Sequence, residues 1–409
     1  MMRINIPYLR EIESILLGKV KLDFKRFLYD KIHFDNRLIG IVGPRGVGKT
    51  TLILQYLKEH RLGDERALYL SADNVFFKQG DLLEFAREFH LKHGGALLCI
   101  DEIHRYDNWN QELKNIYDSF PDLKIIFSGS SSLNLIKGKY DLSRRGMLYS
   151  LPGLSFREYL LLERNIALPS YALKNVLKNG FKISRSFASH KFILKYFNEY
   201  LQRGYYPFYK EEPNLHLYYA KILNVVDKAI HEDIASFYNL KTQNLSAFKK
   251  ILHFLTGITP GEVNINKLAK NLGYNHATIA EYLEILHATN LIRFLPMKKS
   301  GHSSLKETKK IFLDNTNLAN ALSSHHFGQS SNVGTNRELF ALSQLQNAGY
   351  TPFFSEYGDM QEGDNLFEIG GKSKNFGQIH AVKNSYLVLD DILIGETRKI
   401  PLYLLGFLY

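Results

Sequence analysis

Gly43, Gly48, Lys49 and Thr50 in "IVGPRGVGKTTL" satisfy the pattern G-x-x-x-x-G-K-[ST] without departure. The chemistry served by this spacing is the holding of nucleotide phosphates. Glycines let backbone N–H groups turn inward around a β-phosphate, and a helix starting near Lys49 adds the positive end of its dipole. The whole stretch Gly43, Pro44, Arg45, Gly46, Val47, Gly48, Lys49, Thr50 and Thr51 is therefore assigned to the phosphate cradle. Lys49 is expected to reach the β and γ phosphates as a point charge, and the Thr50 hydroxyl to ligate Mg²⁺.

One hydroxyl and the phosphates fix Mg²⁺ weakly, so a second element is required. "LLCIDE" supplies it as an apolar strand ending in Asp101 and Glu102. Asp101 is placed to orient the magnesium shell through water, and Glu102 to polarise an attacking water. Such a pair argues for hydrolysis over simple retention, and for water over a small molecule as nucleophile. "IIFSGSSS" ends another strand with Ser128, Ser130 and Ser131 where the γ-phosphate should lie. Ser130 is the residue assigned to sensing or positioning it, although small residues also serve as turn formers there. Arg144 and Arg145 in "DLSRRG" are candidates for supplying a transition-state arginine, in cis or from a neighbouring subunit of an oligomer. Asp73 either orders water or caps the following segment, Trp109 anchors its helix on the sheet, and His104 has no partner that sequence identifies.

These residues need a scaffold that brings strand ends together. "RLIGIV", "ALYLSAD", "ALLCIDE" and "LKIIFSGS" read as short buried strands, with "TTLILQYLKEH", "DLLEFAREFH" and "QELKNIYDSF" as helices between them. Alternation of this kind predicts a parallel sheet covered on both faces. The expected organisation is an amphipathic lead-in (1–30), a P-loop α/β domain (31–163), a basic linker and helical domain (164–256), a winged helix-turn-helix (257–318) and a small C-terminal α/β domain (319–409). From Arg164 to Asn198 there is no acidic residue. This stretch is read as a basic hinge near phosphates or as a solvated helix face. In "INKLAKNLGYNHATIAEYLEILHATNLIRFLPMKK" a turn at Gly273 separates two helices, and Ile279, Tyr282, Leu283 and Leu286 take core spacing. Asn275, His276 and Thr278 then fall at the exposed helix start, the layout of a helix-turn-helix with a wing.

The 409 residues carry 52 Lys and Arg against 41 Asp and Glu, a formal charge of +11. That excess favours a polyanionic partner such as double-stranded DNA. A lone cysteine, Cys99, excludes an internal disulfide and a multi-cysteine metal site. Neither a signal-peptide core nor a bilayer-length apolar run is present, so the expected location is cytoplasmic, with no membrane partner.

"GPRGVGKTTL", "LLCIDEIHRYDNWNQELKNIYD", "IIFSGSSSLNL" and "LSRRGMLYSLPGLSFREYL" resemble the bacterial and archaeal ATP-binding proteins of the AAA_14 type. "FNEYLQRGYYPFY" and the later helix-turn-helix are similar to the C-terminal DUF4143 region that such proteins carry. The resemblance implies an AAA+-like P-loop fold with ATP and Mg²⁺ as cofactors, Gly43 to Thr50 as Walker A, and Asp101 with Glu102 as Walker B. It further implies a C-terminal domain of restriction-endonuclease-like fold, with Glu338 as helix acid and Asp359 or Asp364 as the middle acid. There the pattern departs, because "FEIGGK" sets Glu368 and Lys372 four apart instead of two. The domain is accordingly read as a retained structural or DNA-binding module.

The resulting expectation is a P-loop ATPase that hydrolyses Mg-ATP to drive or switch a C-terminal half bound to DNA or to a protein. The alternatives are a slow nucleotide-switched interaction module and an ATP-coupled nuclease.

Overall fold

A computed structural model describes residues 6–74, 81–130, 142, 144–190, 192–238, 242–258, 264–297, 309–328 and 331–409. The chain divides into two compact units, Met1–Pro152 and Gly153–Tyr409.

The first unit comprises α1 (Ile6–Lys19), β1 (Leu38–Val42), α2 (Lys49–His60), β2 (Ala67–Ser71), α3 (Leu82–His93), β3 (Leu97–Asp101), α4 (Trp109–Ser119), β4 (Lys124–Gly129) and β5 (Met147–Ser150). Its strands form one sheet in the order β2-β3-β4-β1-β5, with every neighbouring pair parallel. The apolar runs LIGIV and LLCID are buried at every position, as strands covered on both faces must be. Helix boundaries follow local chemistry. The Asp81 side chain accepts the Glu84 N–H at the start of α3, and Gly94 ends it in the left-handed region.

The lead-in belongs to this sheet. Glu13 on α1 accepts the Tyr69 N–H at 2.6 Å, and Arg10 donates to the carbonyls of Glu65 and Ala67. Thus α1 occupies unpaired backbone groups along β2, which would otherwise be an open sheet edge.

In this order β1 lies between β4 and β5, while β3 lies on the far side of β4. Because all five strands run the same way, the loop after β1 and the ends of β3 and β4 emerge at the same edge. That edge, at the carboxyl ends of the strands, is where open α/β sheets place ligands.

The second unit begins with α5 (Phe156–Arg164), α6 (Leu173–Phe187), α7 (Ile193–Arg203) and α8 (Leu215–Lys228), followed by a π-helical turn (Ala229–Ile234), α9 (Ala235–Tyr238) and α10 (Thr242–Thr256). Next come α11 (Ile265–Leu272), α12 (His276–Ala288) and the antiparallel pair β6 (Ile292–Pro296) and β7 (Lys309–Leu313). Gly273, at φ +74°, ends α11, and Ile279, Tyr282, Leu283 and Leu286 of α12 are buried. Two helices parted at Gly273 and an antiparallel strand pair thus follow one another here.

The chain finishes with α13 (Thr316–Phe327), α14 (Val333–Asn347), β8 (Phe353–Ser355), β9 (Gly358–Glu362), β10 (Asn365–Gly370), β11 (Ser385–Leu389) and β12 (Lys399–Pro401). These strands make a mixed sheet, β12-β11-β10-β9-β8. Its last residues fold back into an aromatic core: Phe407 meets Phe156 and Phe187, and Phe197 meets Phe340. A buried ion pair at 3.0 Å, Arg293 on β6 with Asp314, adds polar specificity, and Arg293 also donates to Asn347 of α14 at 2.9 Å. Among the described residues no helix is long and apolar enough to cross a membrane.

Candidate functional site

The phosphate loop is fixed at its start by a backbone contact. Gly43 N–H donates to the Gly129 carbonyl at the end of β4. A Cβ at Gly43 would stand 2.2 Å from the Leu151 carbonyl oxygen, so only glycine fits there. At Gly48 the requirement is conformational: φ is +97° and a Cβ would meet nothing within 4 Å. The helix α2 starts at the next residue, which leaves its first N–H groups without intrahelical partners and directed at the loop.

Lys49 is buried, and its Nζ donates to the carbonyls of Gly43 and Pro44 at 2.9 Å each. The ammonium therefore lies folded onto the loop that the motif curls around phosphate. Arg26, buried in the lead-in, braces the loop by donating to the Val47 carbonyl and, at 2.8 Å, to the Pro152 carbonyl. Sequence reasoning missed Arg26, because a lone arginine whose partners lie 21 and 126 residues away carries no local signal. Val47 is fully buried, Arg45 is half-buried, and Gly46 and Thr51 are exposed.

Thr50 and Asp101 meet as the spacing requires. Thr50 Oγ1 donates to Asp101 Oδ2 at 2.7 Å. The Tyr69 hydroxyl of β2 donates to the same oxygen at 2.9 Å, and the Ser128 hydroxyl of β4 donates to Oδ1. Three hydroxyls from three elements thus hold one buried carboxylate in a single orientation. Burial, and then the Asp101 charge, push the Tyr69 phenol far above its usual range, so Tyr69 stays a donor. Tyr69 was legible only as a strand residue, and Ser128, read from sequence as a neighbour of the γ-phosphate, instead holds Asp101.

Glu102 takes the left-handed backbone conformation, φ 53° and ψ 40°, and its N–H donates to Ser128 Oγ at 3.0 Å. Its Oε2 lies 3.5 Å from His104 Nε2, while His104 Nδ1 accepts the Ser130 N–H at 3.2 Å. Ser130 is buried at the end of β4 beside these groups. Ser131 lies outside the described residues.

Arg144 and Arg145 are not brought to this edge. They precede β5, whose start pairs with Ile39 near the beginning of β1, so they sit at the opposite edge of the sheet. Arg145 makes a two-point ion pair with Asp118 near the end of α4, at 2.8 and 3.0 Å. A role in cis is therefore excluded by the parallel topology. Trp109 packs on Phe127 of β4 with ring centroids 6.1 Å apart, and Asp73 is exposed in the turn after β2. Cys99 is fully buried, and burial raises its thiol well above the ordinary range.

The C-terminal carboxylates form a second cluster. Burial, and then the charge of Asp359, push the Glu338 carboxyl up to about 7. Glu368 is buried, and its Oε1 pairs with Lys374 at 2.6 Å. Lys372 and Asp364 are exposed. The lysine at Glu368 is thus Lys374, carried back over the strand by the turn after Gly370, and not Lys372, whose spacing already departs from the pattern. Among the described residues no three His, Cys, Asp or Glu side chains are grouped to hold a metal ion.

Comparison with known proteins agrees with the first unit. Residues 35–160 match the family AAA_14, described as an AAA domain. Residues 194–329 match a domain of unknown function, DUF8612, which corrects the DUF4143 expectation. The chain is similar to the uncharacterized protein MJ1637 of Methanocaldococcus jannaschii, at 27% identity over 333 residues covering 76% of this chain and 70% of that one. Similar solved structures include an ADP complex of Hsp104 from S. cerevisiae, at TM-score 0.30 and 16% identity over 67% of this chain and 41% of that one. AMPPCP-bound DnaA from Aquifex aeolicus follows at TM-score 0.27 and 18% identity, over 70% of this chain and 89% of that one. The loop, the carboxylate and the parallel sheet of order 2-3-4-1-5 have one common account: residues 35–160 are a P-loop AAA domain of the AAA_14 type.

Proposed function

We propose that this protein binds Mg-ATP at the loop Gly43–Thr51 and hydrolyses it, and that the nucleotide state switches a DNA-binding C-terminal half. The observation that carries the hydrolytic part is the 2.7 Å contact of Thr50 with Asp101, with Glu102 as the next residue. A hydroxyl and a carboxylate converging beside a phosphate loop are the donor set that suits Mg²⁺. Bound there, the ion supplies charge neutralisation on the phosphate oxygens. Lys49 exchanges its contacts with the Gly43 and Pro44 carbonyls for phosphate oxygens, so it is held ready at no cost in unpaired charge. Glu102 orients a water and accepts its proton, and Ser130 positions the γ-phosphate. Arg144 or Arg145 would act only on the site of a neighbouring copy.

The test is ATP turnover with and without double-stranded DNA. Wild type should turn over ATP, Lys49→Ala should lose binding, and Glu102→Gln should bind ATP but fail to release it as ADP. If Glu102→Gln hydrolyses ATP at the wild-type rate, the assignment is wrong.

For the DNA part, we read α11 to β7 as a winged helix-turn-helix and the terminal mixed sheet as an endonuclease-like module without nuclease activity. The +11 charge supports DNA as partner. A second reading, docking of a protein, is favoured by one specific observation. The Asn275 Oδ1 accepts the Thr278 N–H at 2.8 Å, which takes the acceptor of one side-chain amide away from two-point base reading at the exposed end of α12.

A further inference from the structure

We infer that His104 is a positioning residue for Glu102, which rests on the reading of Glu102 as the residue that activates water. The ring is buried, with 4% of its side chain exposed, and both nitrogens face identified groups. A backbone N–H can only donate, so the 3.2 Å contact from Ser130 N makes His104 Nδ1 an acceptor. The ring proton is then on Nε2, and that nitrogen lies 3.5 Å from Glu102 Oε2. The protonated nitrogen therefore stands near one carboxylate oxygen, at 3.5 Å, and leaves Oε1 for water.

The two ends of Glu102 are held from the same strand. Its N–H is fixed by Ser128 Oγ, which sustains the left-handed backbone, and its carboxylate is approached by a ring oriented by the Ser130 N–H. A left-handed glutamate is uncommon and persists where its surroundings over-determine it. The direction of the carboxylate is accordingly tied to the position of Ser130, the residue that leaves β4 beside the phosphate loop. A shift of Ser130 turns the ring and swings Glu102, which links occupancy at the end of β4 to the activation of water.

Two measurements test this in the full-length protein. The first is NMR of ¹⁵N-histidine-labelled protein, with the His104 signals assigned by their loss in His104→Gln. The expected result is the neutral Nε2–H tautomer, with a changed Nε2 shift in Glu102→Gln; an Nδ1–H tautomer overturns the inference. The second is kinetic. His104→Ala should lower kcat for ATP by about 10–100-fold, the effect of a misdirected group, with ATP affinity within about twofold of wild type. His104→Gln, which restores an N–H near Nε2, should recover part of that loss. In the Glu102→Gln background, His104→Ala should change single-turnover hydrolysis no further, since the two act as a unit. Additive losses, or wild-type kcat in His104→Ala while Glu102→Gln is dead, overturn the role of His104 alone. Full turnover in Glu102→Gln overturns the hydrolytic reading and this inference together.

Discussion

Thr50 on α2 and Asp101 at the end of β3 are joined by a 2.7 Å hydrogen bond, although β4 lies between β3 and β1, the strand that leads into the loop. The contact exists because parallel strands deliver their carboxyl ends to one edge, where the P-loop helix returns over the sheet. Thr50→Ala removes the donor and, with it, the hydroxyl proposed to ligate Mg²⁺, and it should weaken Mg-dependent ATP binding more than Mg-free binding. Titration calorimetry with and without Mg²⁺ measures the difference, and an equal loss in both would sink the ligand role.

Gly48 should tolerate no side chain for conformational reasons alone. Gly48→Ala forces a Cβ into φ +97°, a strain of roughly 1–2 kcal/mol, and reshapes the loop. Nucleotide affinity should fall at least tenfold while the fold persists. Far-UV circular dichroism and nucleotide binding together report this, and unimpaired binding would contradict it.

Arg293 and Asp314 are a buried pair, so removing one partner strands the other. Arg293→Ala should destabilise the second unit by about 3–5 kcal/mol, whereas the double replacement Arg293→Met with Asp314→Leu should cost much less. Denaturant unfolding of the two variants decides the matter, and equal losses would show that packing and not charge is responsible.

Glu338 makes stability depend on pH in a definite direction. Its folded pKa, about 7, lies above the usual 4.5, so the native state binds the extra proton. Its contribution is full below about 4.5 and is lost as pH rises through about 7. Glu338→Gln mimics the protonated acid. It should raise stability at about pH 8 by on the order of 1–3 kcal/mol, and the gain should shrink as pH falls toward 4.5. Thermal melts across this window test the sign, and a gain that grows on acidification would refute it.

DNA binding, if it resides in the second unit, must show the signature of counterion release. Affinity for a duplex should fall linearly with the logarithm of salt, with a slope of about −0.9 for each phosphate neutralised. A flat response would favour a protein partner.

The sequence by itself determined the phosphate loop, the acidic strand end and the parallel α/β sheet that bears them, because each depends on short-range spacing. Gly43 to Thr51 are contiguous, and a fully apolar strand followed by Asp101 and Glu102 reads locally. Core spacing in α12 was equally legible, since Ile279, Leu283 and Leu286 need only helical periodicity. What tertiary structure alone decided were the contacts made across elements. Arg26 under the loop, Tyr69 and Ser128 on Asp101, and His104 between Ser130 and Glu102 join residues that no periodicity relates. The same reason removed Arg144 and Arg145 from their own site and substituted Lys374 for Lys372 at Glu368. Strand direction and turn geometry set which end of an element a side chain occupies, and those quantities are fixed only when the sheet closes.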